Sequence, residues 1–540
     1  MTDAALSADT LDPGEPKLNE PSPLAARIVF LVLLVAGLAY GVYSLRADVS
    51  SVGETIELGV FALLGLALLI ALAFEFVNGF HDTANAVATV IYTHSMHPVV
   101  AVVWSGFFNF IGVVLSSGAV AYGIVALLPV ELILQVGSQA GYAMIFSLLI
   151  AAIIWNLGTW AFGIPNSSSH ALIGSIMGVG LANQLMAPAG QATSGVDWNQ
   201  ATTVFQALLF SPLVAFTSAA ALLLIVKFLI KDPRLFKAPE GDAPPPLWIR
   251  SLLILTCTSV SFGHGSNDGQ KGMGLIMLIL IGAAPTAYAL NRTMNAHDMP
   301  TFVQALEKAQ TTFAAHAAET PPVTDIVAAR KTVSDALRTK KLDDPAVYAA
   351  LSAVSVDIES QVKSFGSIRQ VPAAATPNMR NEMYLAGDAT RILLKSKAKF
   401  SDADKASLKG LQGKLEAGTR FIPTWVKIAV AFALGLGTMV GWKRIVVTVG
   451  EKIGKTHLTY AQGATAEIVA AITILAADNY HLPLSTTHVL SSGIAGTMAA
   501  NGSGLQWSTV RSIALAWVTT LPAAIFLAGS LYFILRHIFP

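Results

Sequence analysis

Two short polar stretches fall inside or at the end of long apolar runs of this chain. They read Asn78-Gly-Phe-His-Asp-Thr-Ala-Asn85 and His264-Gly-Ser-Asn-Asp-Gly-Gln-Lys271. Asp82 and Asp268 occupy matching positions in the two stretches. A carboxylate at the centre of a membrane helix costs about 2.5–3.5 kcal/mol on insertion scales, so each aspartate must face a cavity, pair with a cation or be protonated. The neighbouring glycines predict that both helices break here and turn backbone carbonyls inward.

A second pair of related stretches follows the first pair. These read Pro165-Asn-Ser-Ser-Ser-His170 and Pro483-Leu-Ser-Thr-Thr-His488. Asp82 lies 83 positions before Pro165, whereas Asp268 lies 215 positions before Pro483. The difference of 132 positions matches the length of one strongly charged segment, residues 291–420. The spacing therefore indicates an internal duplication, with the charged segment inserted into the second half.

The composition is that of a membrane protein. Hydrophobic residues make up 54% of the chain and charged residues 12%, against about 45–50% and about 25% in soluble proteins. Several apolar runs reach about 20 residues, which is enough to cross a bilayer. The net charge of +1 gives no reason to expect a nucleic-acid partner. The single cysteine, Cys257, excludes an intrachain disulfide and a zinc ribbon.

The charged residues divide the chain into membrane blocks and one insert. Residues 291–420 hold 18 basic and 14 acidic residues, which predicts either an ordinary solvated surface or a weak anion funnel. The basic linker between the blocks argues for the cytoplasmic side. The predicted units are a tail with an extra transmembrane helix (1–50), a first membrane repeat (51–230), a cytoplasmic linker (231–250), the start of a second repeat (251–290), a soluble, periplasmic, helical insert (291–420) and the rest of the second repeat (421–540).

These units predict an all-α polytopic membrane protein. A cytoplasmic linker and an odd number of spans per half would invert the second half relative to the first. Two inverted repeats with broken helices and re-entrant helical hairpins are typical of secondary transporters, whose site lies where the breaks meet. We therefore expect both pairs of stretches to converge near the middle of the bilayer.

The second pair of stretches has the chemistry of an anion site. Each proline is followed by a hydroxyl trio at the start of a predicted helix, where free backbone N–H groups and a partial positive charge favour an oxyanion. The alternative is that the hydroxyls only cap and pack their helices. The trios are Ser167, Ser168 and Ser169 in the first half, and Ser485, Thr486 and Thr487 in the second.

Several other polar residues near these stretches are accessory candidates. His170 and His488 occupy matching positions, and either a packing role or a direct role with protons fits such a pair. His81 and His264 lie near the aspartates, but their offsets differ by three positions, and Asn78 opens the first stretch. Glu75, Glu467 and Asp478 also interrupt apolar runs, but none has a counterpart in the other half.

The motifs resemble those of the inorganic phosphate transporter family, specifically its bacterial low-affinity permeases. The resemblance rests on the stretch from Phe76 to Thr93, on Gly263-His-Gly-Ser-Asn-Asp-Gly-Gln-Lys-Gly272 and on Leu484-Ser-Thr-Thr-His488. It covers nearly the whole chain from residue 57 onward. It implies an inverted-repeat homodimer that moves phosphate inward, with phosphate on the hydroxyl trios. It places the coupling-ion site at Asp82, Asn85, Asn267 and Asp268.

One position departs from the sodium-coupled relatives, which resemble Asn-Asp-x-x-Asn in both halves. The second half here ends in Lys271, so an ammonium stands where the second asparagine would be. Such a cation can occupy the place of a sodium ion beside Asp268, or contact phosphate. The departure predicts proton coupling. The bacterial relatives imply no resident cofactor, and their cargo includes phosphate as a neutral divalent-metal complex.

Two other functions remain open from the residues alone. A permease of the same fold for another oxyanion, such as sulfate, has the same geometry, although only phosphate can donate a P–OH proton to an aspartate. A membrane phosphate sensor would use the insert as its working part. An enzyme is excluded as an interpretation, because no Ser–His–Asp order or metal-binding constellation is evident.

Overall fold

The computed structural model describes residues 16, 18, 24–53, 57–82, 84–128, 130–134, 138–187, 195–396 and 398–538. Within these ranges the chain is helical and contains no strand, which confirms the predicted all-α class. The side chains of residues 82, 84, 130 and 131 lie outside the description. The predicted role of the Asp82 carboxylate therefore falls outside the described residues.

We call the helices outside the insert, apart from the N-terminal helix, the membrane body. Its first half follows that N-terminal helix. The helices are α1 (Leu24–Ser51), α2 (Leu58–Asp82), α3 (Ala84–Tyr92), α4 (Pro98–Leu115), α5 (Ala119–Val125), α6 (Val130–Leu134), α7 (Gln139–Ala161), α8 (Ser168–Leu185) and α9 (Trp198–Leu229). α2 ends and α3 begins on either side of residue 83, in the first aspartate stretch. A short 3₁₀ helix, Pro233–Phe236, lies in the linker.

The second half begins with one long helix and is interrupted by the insert. The helices are α10 (Leu247–Ala283), α11 (Pro285–Tyr288), then α12 (Met299–His316), α13 (Ile326–Thr339), α14 (Pro345–Phe365), α15 (Thr376–Lys395) and α16 (Asp402–Thr419) of the insert, then α17 (Thr424–Thr438), α18 (Lys443–Glu451), α19 (Tyr460–Asn479), α20 (Thr486–Asn501) and α21 (Trp507–Ile538). The insert adds two 3₁₀ turns, Ala296–Asp298 and Ile368–Gln370.

Seven helices in the described part of the chain are long and apolar enough to cross a membrane, judged by length and composition. They include α1, α4, α7, α9, α19 and α21, and the run from α2 through α3. α16 and α17 together also pass this test but are bent by 73° at their junction. This number of apolar helices is that of a multi-pass membrane protein.

The insert helices pack around an apolar core of their own. Phe302, Leu306, Val354, Met383 and Leu411 are among its fully buried side chains, and they come from α12, α14, α15 and α16. Two other buried clusters fill the membrane body. The charged side chains of the insert therefore cover a small helical unit, as expected for helices with one apolar stripe.

Helices of the first half pack mainly on helices of the second half. α2 packs on α17, α4 on α10, α8 on α21 and α9 on α20. Gly79 lies against the carbonyl of Leu434, and Gly265 lies against the carbonyl of Asn109. In both pairs a Cβ atom on the glycine would overlap the carbonyl oxygen.

The same relation recurs one turn away on these helices. Gly437 lies against the carbonyl of Phe76, and Gly112 lies against that of Phe262. The α2 and α10 members of these contacts are 186 positions apart, and the α4 and α17 members are 325 positions apart. The interface of α2 with α17 and that of α4 with α10 are therefore built from residues at the same relative positions in the sequence, with the roles of the two halves of the chain interchanged.

These contacts correct the expectation that glycines break both aspartate helices. α10 is continuous from Leu247 to Ala283 and passes through His264, Asp268 and Lys271 without interruption. Gly265 and Gly269 of α10 face the backbone of α4 and the side chain of Val113 at distances that no larger residue fits. The glycines allow close helix packing, and the backbone hydrogen bonds of α10 remain intact.

Candidate functional site

The two hydroxyl trios lie at helix starts, as the sequence predicts. Ser167 is the N-cap of α8, and its Oγ accepts a 3.2 Å hydrogen bond from the His170 amide. Ser485 is the N-cap of α20 and accepts a 3.2 Å hydrogen bond from the His488 amide. The two caps have nearly the same backbone conformation, with φ −101° and ψ 110° against φ −98° and ψ 101°. In each trio one hydroxyl therefore caps the helix, and the other two hydroxyls contact other groups.

The two helix starts are in contact with each other. Ser169 Oγ donates a 2.7 Å hydrogen bond to the carbonyl of Leu484, just before the second trio. The rings of His170 and His488 lie 4.6 Å apart, and His488 stacks on Trp517 at 4.0 Å. The positive ends of two helices and both trios therefore share one buried region.

α10 brings a buried ion pair to this region. Lys271 Nζ lies 2.6 Å from Asp268 Oδ1, and both side chains are fully buried. Lys271 Nζ also donates to Ser169 Oγ of the first trio. Asp268 Oδ2 lies 3.4 Å from His264 Nε2, one turn earlier on the same helix. Lys271 therefore links the second aspartate stretch directly to the first hydroxyl trio.

Asn267 joins the same helix to the segment that leads into the second trio. Its Nδ2 donates to the Leu482 carbonyl and its Oδ1 accepts from the Leu484 amide, both at 3.3 Å. An amide that binds both backbone groups fixes this segment against α10. The side chain of Asn267, predicted to bind the coupling ion, is therefore engaged by backbone in this structure.

The first aspartate stretch contacts both trios. Ser168 Oγ donates a 2.7 Å hydrogen bond to Asn78 Oδ1 on α2. Asn85 Nδ2 on α3 donates a 3.1 Å hydrogen bond to Thr487 Oγ1 of the second trio. Asn78 and Asn85 flank the junction of α2 and α3. The predicted site residues whose side chains are described are thus brought together, apart from the two histidines below.

His81 and His264 lie on other surfaces of the same helices. His81 Nε2 is 3.3 Å from Thr159 Oγ1 on α7. His264 Nδ1 is 2.9 Å from Asn109 Oδ1 on α4, so this histidine is held between α4 and the Asp268 carboxylate. Neither ring contacts a hydroxyl trio in the described contacts. These two accessory candidates orient neighbouring helices more directly than they contact a bound anion.

Some buried polar atoms of the region have no hydrogen-bond partner among the described residues. They are Thr486 Oγ1, Ser491 Oγ on α20 and His488 Nε2. A buried polar group without a partner costs about 1–3 kcal/mol, so these atoms are suited to a ligand that supplies acceptors or donors. Together with Lys271 and two helix starts they have the chemistry of an oxyanion site.

A metal centre is not evident from the side chains that the structure describes. No group of three or more His, Cys, Asp or Glu side chains in these ranges is arranged to hold a metal ion. The Asp268 carboxylate has the Lys271 ammonium and the His264 ring as neighbours.

The structure adds residues that the duplication argument set aside. Glu75 accepts from Asn78 and is fully buried beside the site. Asp478 accepts from Ser266 and from Gln270 of α10, at 2.7 and 2.6 Å. The signal available in the sequence was the interruption of an apolar run by an acid. The requirement for a matching residue in the other half left Glu75 as accessory at most, and the structure places it against Gly272 of α10.

Comparisons with known proteins agree with this chemistry. The sequence model of the phosphate transporter family matches residues 78–528. The chain is 42% identical over 497 residues to the low-affinity inorganic phosphate transporter PitB of Escherichia coli (strain K12), covering 88% of this chain and 98% of that protein. It is also 42% identical to PitA of the same organism over 490 residues, covering 87% and 97%.

More distant matches carry similar descriptions. The probable low-affinity inorganic phosphate transporter of Bacillus subtilis (strain 168) is 29% identical over 475 residues, covering 88% of this chain and 97% of that protein. A solved structure described as the sodium-dependent phosphate transporter aligns with a TM-score of 0.48 and 20% identity, over 88% of this chain and 100% of that chain.

Proposed function

Because the chain belongs to the phosphate transporter family, we propose that it is a secondary transporter that imports inorganic phosphate by proton symport across the bacterial inner membrane. Family membership confirms the resemblance drawn from the motifs, and it confirms that the chain is not an enzyme. The observation that carries the proposal is the contact of Lys271 with both Asp268 and Ser169, which joins a coupling motif to a hydroxyl trio.

We assign phosphate to the region between the two helix starts. Thr486 and Thr487 supply hydroxyl donors there, and Ser168 and Ser169 do so by turning from the Asn78 and Leu484 oxygens to which they donate in this structure. Lys271 supplies the one fixed cation in contact with a trio among the described residues. Ser167 and Ser485 act as caps and hold the backbone amides in place. Charge-assisted hydrogen bonds from such donors are short and strong, and they select a small tetrahedral anion.

Proton coupling is supported by the ion pair on α10. An ammonium 2.6 Å from Asp268 has no acceptor to offer a sodium ion and repels it. Asp268, Asn267, Asp82 and Asn85 remain our coupling-ion residues, with the proton as the ion. On this assignment the group that accepts the proton is either an aspartate or a nearby histidine, the two candidates that the sequence offers.

Transport of a divalent metal–phosphate complex is a further part of the proposal. The Asp268–Lys271 pair is neutral as a whole, so the described site adds no net charge to offset a doubly charged phosphate. A buried charge without compensation is costly, and a divalent cation bound to the phosphate removes most of that cost. The metal is cargo in this proposal and is not a resident cofactor.

We propose that the two halves are inverted repeats. The glycine contacts between α2 and α17 and between α4 and α10 support this arrangement. In both contacts the α2 residue is replaced by the α10 residue 186 positions later, and the α17 residue by the α4 residue 325 positions earlier. The matching caps at Ser167 and Ser485 support it from a second region. In such a fold the two helix starts approach the midplane from opposite sides of the membrane.

The homodimer implied by the family resemblance stays part of the proposal and is tested by the mass of the solubilised protein.

The insert is proposed to lie on the periplasmic side and to collect anions. A cavity of about 540 Å³ lies between it and the membrane body, and its walls include Arg391, Lys395, Arg420 and His481. Arg391 reaches across to Asp197 Oδ2 at 3.4 Å, which ties the insert to the N-cap of α9. Leu482 also lines this cavity, and its carbonyl is the one bound by Asn267.

The cavity therefore ends at the segment that leads into the second trio. Its lining carries three permanent cations and the acid Glu416. Arg391 and Arg420 have ion-pair partners, and Lys395 has none among the described residues. Clefts lined by one sign of charge raise the local concentration of the opposite ion. This arrangement supports the anion-funnel interpretation over that of an ordinary solvated surface.

The test is phosphate uptake into proteoliposomes with the pH and sodium gradients imposed separately, each with and without Mg²⁺. Proton symport predicts accumulation with the pH gradient alone. Accumulation driven only by sodium would refute the coupling assignment. Competition by sulfate as strong as that by unlabelled phosphate would favour the sulfate permease, and an absence of any uptake would favour the sensor.

A further inference from the structure

The Glu75 carboxyl lies beside the site, and the assignment above gives it no role. It is on α2, one turn before Asn78, and it is fully buried. Its Oε2 accepts a long hydrogen bond of 3.4 Å from Asn78 Nδ2. Its Oε1 has no partner at ordinary hydrogen-bond geometry among the described residues; it lies against Gly272 of α10, whose backbone amide interacts with the carboxyl group and where a Cβ atom would collide with it. An ionised carboxylate with so few donors is poorly stabilised, whereas a protonated one needs fewer.

The charged groups around Glu75 come mainly from α10. Lys271 and Asp268 are the two that interact electrostatically with its carboxyl. The other titratable side chains on the helices packed against α2 are, helix by helix, Arg250, Cys257 and His264 of α10, His170 of α8, Tyr142 of α7, Lys427 of α17 and Tyr92 of α3, with His81 and Asp82 on α2 itself. Tyr142, Lys427 and Tyr92 lie near the ends of their helices.

Glu75 is also linked to the proposed phosphate site through hydrogen bonds. Asn78 donates to Glu75 and accepts from Ser168 of the first trio. On the opposite side, Lys271 contacts Ser169 of the same trio and interacts with Glu75 electrostatically. A change of charge on Glu75 therefore affects the trio in two ways. It acts through the hydrogen bonds of Asn78, and it acts electrostatically through Lys271.

We propose that Glu75 carries the coupling proton. This inference rests on the proposed proton symport and assigns to Glu75 the role that the sequence left between an aspartate and a histidine. With Glu75 protonated, Asp268 and Lys271 form a neutral group that does not repel an anion at the trio. With Glu75 ionised, the group carries a net negative charge and repels phosphate in a low-dielectric region.

The proton and the phosphate therefore favour each other. A proton from the outer solution binds the Glu75 carboxylate, phosphate binds the trios, and both leave on the cytoplasmic side, where the carboxylate is regenerated. Linkage requires that phosphate raise the proton affinity of Glu75 by the same factor as the proton raises the phosphate affinity. No redox or covalent step is needed.

The experiment compares two transport modes in proteoliposomes that contain the full chain. Glu75→Gln keeps the shape of a protonated glutamate but cannot release a proton. We expect it to lose accumulation driven by a pH gradient by more than about tenfold, while exchange of labelled for unlabelled phosphate stays within about twofold of wild type. Exchange by this variant should vary less between about pH 6 and pH 8 than exchange by wild type, because the variant retains only the pH dependence of phosphate itself and of other groups.

Glu467→Gln is the matched control. Glu467 is also a fully buried glutamate, but it is held by Thr89 and Thr256 and contacts neither trio in the described contacts. This variant should keep both transport modes. Glu75→Asp, which retains an acid, should restore part of the pH-driven accumulation.

The outcomes separate the inference from the proposed function. If wild type accumulates phosphate with a pH gradient and Glu75→Gln does so equally well, the inference is wrong and proton symport stands. Loss of exchange together with accumulation shows that Glu75 has a structural role and also overturns the inference. If wild type itself ignores the pH gradient, both proton symport and the assignment of Glu75 are wrong.

Discussion

Lys271 Nζ lies 2.6 Å from Asp268 Oδ1, and both side chains are inaccessible to solvent. The pair lies one turn apart on α10, and the lysine reaches Ser169 at the start of α8. Removing one partner of a buried ion pair leaves an uncompensated charge and costs about 3–5 kcal/mol. Substitutions in this pair therefore require controls that separate folding from transport.

Lys271→Asn should abolish phosphate accumulation driven by a pH gradient. The change removes the cation from the first trio and frees Asp268 to bind a proton or an external cation. Labelled phosphate uptake with separate pH and sodium gradients is the measurement. Wild type should ignore sodium, and a sodium response in Lys271→Asn would support the view that the ammonium occupies the place of a cation.

Lys271→Arg is the control for this prediction, because it keeps the charge in a different shape. It should retain more transport than Lys271→Asn. Sodium-driven uptake by wild type, or unchanged uptake by Lys271→Asn, would show that Lys271 only packs in the body.

Asp268→Asn should prevent concentrative uptake while the protein remains in the membrane. Lys271 then keeps its charge without a counterion and binds phosphate too tightly for release, or shifts away from Ser169. The double variant Asp268→Asn with Lys271→Met removes both charges and should recover thermal stability in detergent without recovering uptake. Asp82→Asn should give the same loss of accumulation, as the matching position in the first half.

A normal steady-state accumulation ratio in Asp268→Asn or in Asp82→Asn would contradict the coupling assignment for that residue. Failure of the double variant to recover stability would instead show that Asp268 has structural partners besides Lys271. His264 is the candidate for such a partner, since it lies 3.4 Å from Asp268 Oδ2.

Thr486→Ala should weaken phosphate binding with little effect on folding, and Ser168→Ala should weaken it together with a loss of stability, because Ser168 also donates to Asn78 Oδ1. Thr486 Oγ1 has no hydrogen-bond partner among the described residues, so its removal breaks no described bond. A hydroxyl donor to a charged group contributes about 1.5–3 kcal/mol, so the half-saturation concentration should rise roughly ten- to hundredfold. Initial rates of uptake over a range of phosphate concentrations measure this change.

Ser175→Ala is the control for the hydroxyl variants. Ser175 lies on α8 and donates to the carbonyl of Ala171 in its own helix, at 2.8 Å. Its substitution should leave the half-saturation concentration unchanged. Wild-type half-saturation in both Thr486→Ala and Ser168→Ala would mean that the trios serve only as caps.

The sequence predicted those parts of the site that depend on local chemistry or on duplication. Ser167 and Ser485 cap helices because a hydroxyl after a proline-led turn favours that position, whatever packs around it. The convergence of the two stretches followed from the spacing of Asp82, Asp268 and the two prolines. Both inferences used only short stretches and their distances along the chain.

The continuity of α10 depended on contacts that no local pattern contains. Gly265 is a helix breaker or a packing residue according to what lies opposite, and that is the carbonyl of Asn109 on α4. The surroundings of Glu75 could not be predicted for the same reason, because its neighbours Gly272 and Lys271 are distant in sequence. Tertiary partners decided both cases.

The insert should lie outside the cytoplasm. The linker between the halves is short and basic, and the stretch after α17 carries Lys443 and Arg444, so both belong on the inner side. α10 then delivers the chain to the outer side before α12 begins. A reporter that is active only in the cytoplasm, fused near residue 350, should be inactive. An active fusion there, with an inactive one in the linker near residue 240, would reverse the topology.

Lys395→Glu should weaken phosphate capture by the cavity beneath the insert. Lys395 lines that cavity and is exposed, and it has no ion-pair partner among the described residues, unlike Arg391 and Arg420. The reversal of charge at the entrance should raise the half-saturation concentration about three- to tenfold at low ionic strength and leave the maximal rate unchanged. The effect should fade as salt is raised toward about 0.15 M, where the Debye length is about 8 Å.

Lys409→Glu makes the same change of charge on α16, at an exposed residue that is absent from the cavity lining, and should have little effect. An equal rise in both variants would indicate a general surface potential, and an unchanged value in Lys395→Glu would exclude this cavity from the path of the anion.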